Sequence, residues 1–379
     1  MANTPSDGLA CGRLTIDLEA LADNWQSLAD RTGATECGAA IKGDGYGLGL
    51  EKMARALSRA GCRTFFTAVP QEGIRALAAA PETRVFVLAG LLPGMAEAYR
   101  ETGLIPVLNC SVEIHEWAEY CASIGERLPA AIHLDTGMNR MGLNLEETRA
   151  IAAAKDVLAR FDLVLVMSHL VCGDDPANPL NGLQLRRFEE MTAYFPEVPR
   201  SLANSSGIFL GPEYYFDVAR PGISLYGGDA MDDGPNPMRT VVTAEARILI
   251  THGAAKGETV GYGAVETLQR DSRIAIVGVG YADGYHRLAG AGEKRIAAKA
   301  WINGHTVPLV GRVSMDLIAL DVTDVPEADC KRGDWVEMFG PHILVHEVAR
   351  CADTIGYELL TGFGSRYSRT YIGDPGAEA

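Results

Sequence analysis

Residues 36–70 read "ECGAAIKGDGYGLGLEKMARALSRAGCRTFFTAVP". A short apolar run comes first, then a glycine-rich passage, then a Leu/Ala/Arg-rich stretch with helical spacing that Gly61 closes, then a second apolar run. Strand, helix, strand is the repeating unit of a parallel α/β fold. The alternation continues through the first 230 residues. Its apolar or β-branched runs are, in order, "ECGAAIK", "TFFTAVP", "RVFVLAG", "IPVLNC", "PAAIHLD", "LVLVMSH", "RSLANS" and "FDVARPG". Helix-like segments lie between them, such as "EIHEWAEYCASIG", "LEETRAIAAAKDVLAR" and "GLQLRRFEEMTAYF". Eight repeats predict an N-terminal (β/α)8 barrel of the TIM type over residues 1–235; the alternative from spacing alone is an open doubly wound sheet. After the Pro/Gly-rich "DDGPNPM" the pattern turns to strands and turns, with "ING" as a hairpin signal and one helix expected in "ILVHEVARCADTIGYELL". Residues 236–379 are therefore expected to form a separate β-rich domain.

Composition narrows the function. With 379 residues, 47% hydrophobic and 22% charged, the chain can bury a large core. A formal charge of −15 without any basic run argues against nucleic acid as a partner and for a small substrate. The eight cysteines show no CxxC pair, so neither a disulfide framework nor a metal site is expected. The opening "MANTPSDGLACGRL" has no apolar leader core, and no long uncharged apolar run follows. The expected setting is the cytoplasm, with no membrane partner.

Chemistry-bearing residues collect at the ends of the strand-like runs. Lys42, Arg140, His169, Ser205 and Arg220 all stand at or just beyond C-terminal ends, on the face where barrel enzymes build their sites. Lys42 follows apolar "GAAI", which would hold its stem and partly desolvate the amine. Desolvation favours the neutral, nucleophilic form that condenses with carbonyls.

The segments "AAIKGDGYGLG", "HLDTGMNRMG", "MSHL", "ANSSG", "ARPGISLYG", "VGYGA", "GYADGYHR", "GRVSMDL" and "TIGYELLTGFGSRYSRTY" span nearly the whole chain. In order and spacing they resemble the alanine racemases, fold-type III pyridoxal-phosphate enzymes. The resemblance implies that Lys42 carries pyridoxal 5'-phosphate covalently and that Tyr46, Ser205, Gly222, Ile223 and Tyr357 contact its phosphate. It places Arg220 at the ring nitrogen, where most pyridoxal enzymes have a carboxylate. An always-charged arginine leaves that nitrogen unprotonated, which suits racemisation and disfavours transamination and decarboxylation. Inversion at Cα needs a base on each face. By resemblance these are Lys42 for the D-enantiomer and Tyr262 for the L-enantiomer, the latter linked through His169 to Arg220.

In this family Tyr262 reaches the barrel of the other subunit, so a homodimer with composite sites is implied. Met315 would then offer its N–H to the substrate carboxylate, beside Tyr281 and Asp316. Arg140 would face the cofactor and the substrate carboxylate. The sequence departs from the pattern at His133, where many members have a carbamylated lysine that braces the arginine. The implied activity is interconversion of L- and D-alanine, for cell-wall precursors or for catabolism. The alternative is a racemase of broader range, acting on serine, lysine or arginine.

Overall fold

The computed structural model describes residues 8–232, 234–292 and 296–373. The first seven residues, part of the stretch read for a leader, lie outside it. Two compact units divide the chain: Leu21–Leu225 with Asp229–Met238, and Met1–Ala20 with Tyr226–Gly228 and Arg239–Ala379. Among the described residues no helix is long and apolar enough to cross a membrane.

The first unit is built on parallel strands. Ala39–Ala40, Thr64–Thr67, Arg84–Val87, Ile105–Leu108, Pro129–His133, Asp162–Met167 and Arg200–Ser201 pair in chain order as one sheet. An eighth strand, Val218–Ala219, pairs in parallel with Glu36–Cys37. Backbone bonds join it on both sides. Asp217 and Arg220 N–H donate to the carbonyls of Arg200 and Ala203 at 3.0 and 2.8 Å, while Glu36 and Gly38 N–H donate to Asp217 and Ala219 at 3.0 and 2.9 Å. The sheet thus curls into a closed ring, and all eight apolar runs lie in it.

These strands are largely apolar because helices cover one face and the ring's own side chains fill the other. Phe65, Phe66, Val85, Phe86, Val87, Val107, Ala131, Ile132 and Val166 are each 0–1% exposed. Phe66 and Phe86 stack with centroids 5.2 Å apart. The helix Leu50–Ala60 turns Leu50, Met53, Ala54 and Leu57 inward, the i, i+3, i+4, i+7 stripe of an amphipathic helix. Burying one such leucine fully contributes about 1.5–3 kcal/mol.

The second unit holds an eight-stranded sheet. Its order is Ser272–Val277, Ile318–Asp321, His305–Val310, Lys299–Ile302, Trp335–Phe339, Val242–Ala254, Gly12–Asp17 and Tyr367–Ile372. The long strand Val242–Ala254 also pairs with Ser272–Val277, which bends the sheet back on itself. Gly12–Asp17, though N-terminal in sequence, is antiparallel to Val242–Ala254 and parallel to Tyr367–Ile372. The expected hairpin turns at Asn303–Gly304, with φ of 45° and 93°, the mirror-image turn that matches strand twist. The single helix expected near the C-terminus is two, Val345–Cys351 and Gly356–Thr361. Asp353 at φ 56° breaks it, a left-handed conformation that aspartate tolerates better than most residues.

Candidate active site

The barrel unit gathers most of the residues singled out in the sequence at one end of its ring. Lys42 stands two residues past Ala40, His169 two past Met167, and Arg220 directly after Ala219. Behind Lys42 the backbone makes an unusual turn. Gly43, Asp44, Gly45 and Tyr46 all have φ between 53° and 65°, one turn of left-handed helix. It is closed by Gly45 N–H to Ile41 O at 2.9 Å and Gly47 N–H to Gly43 O at 2.7 Å. Such a conformation costs roughly 1–2 kcal/mol at each residue with a side chain and little at glycine, which accounts for the glycine spacing. Asp44 and Tyr46 bear the strain. Asp44 Oδ1 is tied to Arg75 at 2.6 Å, and Asp44 N–H donates to Glu72 at 3.0 Å.

Burial lowers the pKa of the Lys42 amine, and the charges of Arg140 and then Arg220 push it the same way, against an opposing pull from Glu72. The amine is shifted toward its neutral, nucleophilic form, as the apolar flank of the sequence implied.

A cradle of hydroxyls and amides forms at the seventh and eighth strand ends. Asn204 caps the short helix Ser205–Leu210 by accepting from Gly207 N–H at 2.9 Å, so "ANSSG" does contain a helix cap. Ser205 does something else. Its Oγ accepts from Gly222 N–H at 2.8 Å and Ser224 N–H at 3.3 Å, leaving its own proton to donate. Gly222 has no room for a side chain, because a Cβ there would overlap the Tyr46 hydroxyl. Ser224, missed in the sequence reading, is fully buried with a hydroxyl that has no hydrogen-bond partner among the described residues. Ser205, Gly222, Ile223 and Tyr46 are all buried side by side in this cradle.

Arg220 is 5% exposed. Its guanidinium donates to Ser201 Oγ and, at 2.6 Å, to the carbonyl of Ser168, and it lies 5.7 Å from the Phe66 ring. Burial lowers its pKa to about 9, which leaves it charged at neutral pH. Among the described residues no carboxylate pairs with it; its partners are neutral oxygens, so its charge remains available to a ligand. The His169 ring makes no hydrogen bond among the described residues. Its pKa falls to about 3 through burial and then the charges of Arg220, Lys42 and Arg140.

His133 is neutral for similar reasons, held at about 4 by burial, Arg220 and Arg140. Its Nδ1 meets Asn109 Oδ1 at 2.9 Å. Arg140 lies on the loop beyond His133, exposed and without a hydrogen bond or ion pair among the described residues. That loop is shaped by Asp135, whose Oδ1 accepts from Gly137 and Asn139 N–H at 2.9 and 3.1 Å. Gln184, 1% exposed, braces it from outside by donating to Thr136 Oγ1 at 3.0 Å and His169 O at 2.9 Å. Asn109 and Gln184 carried no signal in the sequence beyond being polar at a strand end and within a helix.

The C-terminal unit carries the remaining residues. Tyr262 lies on the loop after Thr259–Val260, 70% exposed. Tyr281, 41% exposed, sits on a loop whose N–H groups at residues 281 and 282 donate to the carbonyls of Ser314 and Met315, both at 3.0 Å. Met315 is 52% exposed. Tyr357 lies on the helix Gly356–Thr361.

The barrel-mouth residues fit pyridoxal phosphate on observations of their own: an amine shifted toward neutrality, a hydroxyl-and-amide cradle that a Cβ at Gly222 would fill, an orphaned buried hydroxyl, and a buried arginine without a counter-charge. A closed parallel barrel with these features at the carboxyl ends of its strands places the chain in the barrel class of pyridoxal-phosphate enzymes. Comparison with known proteins narrows this. Residues 16–230 match the family model "Alanine racemase, N-terminal domain" and residues 241–371 match "Alanine racemase, C-terminal domain". The chain is 48% identical over 372 residues to the alanine racemase of Rhizobium meliloti, covering 96% of this chain and 97% of that one. It is 42% identical over 367 residues to the catabolic alanine racemase of Agrobacterium fabrum, covering 96% and 93%. The crystal structure of the Bartonella henselae alanine racemase with covalently bound pyridoxal phosphate superposes with a TM-score of 0.90 at 38% identity, covering 96% of this chain and all of that one. The chain belongs to the alanine racemase family.

Proposed function

We propose that this chain interconverts L- and D-alanine with pyridoxal phosphate held at the barrel mouth, each mouth being completed by the C-terminal unit of a second copy. The observation that carries the proposal is Lys42: an amine at the end of the first barrel strand, shifted toward neutrality and flanked by two arginines. When bound, the cofactor withdraws electrons from the substrate so that the Cα proton becomes removable. Lys42 Nζ would hold the cofactor and, when free of it, would take or return the proton on one face of Cα. Tyr262 of the partner copy serves the other face. Its exposure supports a role outside its own chain.

Ser205 Oγ and the amides of Gly222 and Ile223, with Tyr46 and Tyr357, hold the phosphate. Arg220 sets a positive charge against the ring nitrogen and keeps it from taking a proton. Arg140 and the Met315 N–H bind the substrate carboxylate, while Tyr281 and Asp316 shape the entrance. Relatives named for alanine, both biosynthetic and catabolic, favour alanine over a broad substrate range. In the cytoplasm the product would supply cell-wall precursors or feed alanine breakdown.

The test is to incubate purified protein with L-alanine, L-serine and L-lysine and follow optical rotation. Rotation should decay with alanine, fastest by far, and not with Lys42→Ala or Tyr262→Phe. Release of carbon dioxide, or equal rates on all three amino acids, would refute the proposal.

A further inference from the structure

We propose that Arg366 is a positioning residue, a clamp that holds the Tyr281 and Met315 loops of the C-terminal unit in fixed register with each other. The proposal rests on the reading above that these loops face a substrate. Arg366 uses three nitrogens. Nε and one terminal nitrogen grip both oxygens of Asp283 at 2.6 and 2.7 Å, and the other reaches Asp316 Oδ1 at 2.7 Å. A planar fork is what lets one side chain do this; lysine offers a single point charge.

The two carboxylates belong to different loops. Asp283 closes the turn that begins at Gly280, whose N–H donates to its Oδ2 at 2.9 Å, and Tyr281 lies within that turn. Asp283 is 3% exposed, and Arg366 is the side chain that meets both of its oxygens. Asp316 directly follows Met315 and is exposed. The loops are already stitched by the bonds from Tyr281 and Ala282 N–H to Ser314 and Met315 carbonyls. Arg366 adds the charged closure, and its own segment is tied in by Gly364 N–H to Asp283 O at 3.0 Å.

The arrangement leaves one donor unused at a telling place. The Met315 carbonyl is occupied by Ala282, while the Met315 N–H has no partner among the described residues. A main-chain donor held still and unpaired, beside an exposed tyrosine, is ready for an acceptor such as a carboxylate. Holding it still before binding removes an ordering cost that a loose loop would meet on every turnover. Loss of the clamp should therefore weaken substrate binding more than it slows chemistry.

The experiment measures KM and kcat for alanine in both directions, with melting curves, for holoenzyme carrying Arg366→Lys, Asp316→Ala or Tyr262→Phe. The clamp predicts that Arg366→Lys and Asp316→Ala raise KM about tenfold while kcat falls less than about threefold. Asp316→Ala leaves the Asp283 pair intact and should melt near wild type, so it decides the matter if Arg366→Lys fails to fold. Wild-type KM in Asp316→Ala, with Tyr262→Phe inactive, would overturn the clamp alone and leave a brace for Asp283. Full activity in Tyr262→Phe would overturn the underlying reading of the C-terminal unit and the clamp with it.

Discussion

Asn109 Oδ1 lies 2.9 Å from His133 Nδ1, and the orientation of that amide is set by its other end. Asn109 Nδ2 donates to the carbonyls of Val107 and Leu88 at 2.8 and 3.2 Å, so Oδ1 is the acceptor and His133 Nδ1 carries the proton. The Asn109 carbonyl also accepts from Gly142 N–H at 3.1 Å. One residue thus ties His133 and the far end of the loop that bears Arg140. Nitrogen-15 spectra of the native protein should show His133 as the Nδ1–H tautomer, with Nε2 left as an acceptor. Asn109→Ala should lower stability by about 1–3 kcal/mol, the cost of stranding buried hydrogen-bonding groups, and lower kcat/KM about tenfold. An Nε2–H tautomer, or a variant with unchanged kinetics, would contradict this account.

Acid should destabilise the barrel earlier than its carboxylates require. His133 and His169 have folded pKa values pushed down to about 4 and about 3, while an unfolded histidine titrates near about 6.5. Between these limits the unfolded chain binds protons that the folded chain refuses, so stability is full above about pH 6.5 and declines as pH falls toward 4. Each histidine adds up to about 1.4 kcal/mol per pH unit to that slope. Urea unfolding at a series of pH values should show the slope reduced by about one proton in His133→Gln. An unchanged slope would mean His133 titrates normally in the folded protein.

Gly222→Ala tests the cradle. The new methyl group would meet the Tyr46 hydroxyl, which must move away from Ser205 and the neighbouring amides. Cofactor affinity should fall at least about tenfold, read from retention of the visible absorbance band during dialysis, while the cofactor-free protein loses only the roughly 1–3 kcal/mol that overpacking costs. Retention equal to wild type would place the phosphate elsewhere.

Gly45→Ala tests the left-handed turn. Alanine at φ 65° carries about 1–2 kcal/mol of strain, and its Cβ would come within 2.7 Å of Met53 Cγ on the following helix. Urea denaturation should show a loss of at least that size, together with slower reaction of the Lys42 amine with free pyridoxal phosphate. Wild-type stability would mean the turn relaxes to a right-handed form without consequence.

Much of the barrel was legible because its signals are local. An apolar run, a helix-spaced stripe and a closing glycine occupy neighbouring residues, so the eight strands and the ends carrying Lys42, His169 and Arg220 emerge from short windows of sequence. The lysine's apolar flank likewise announced its shifted amine. Other features are set by pairings between distant segments, and no window contains them. Gly12–Asp17 falls within residues 1–235, the span expected to form the barrel, yet its partners Val242–Ala254 and Tyr367–Ile372 place it in the other unit's sheet. Asn109 gives no hint that its amide selects the His133 tautomer, since the donor, the acceptor and the two carbonyls meet only when separate strands align. Arg366 grips Asp283 across 83 residues of chain. Strand periodicity and glycine spacing follow from each residue's own backbone and its nearest neighbours. Sheet membership, tautomer and clamp depend on which remote groups fall within about 3 Å once the core has closed, and that is settled by the packing of the whole chain.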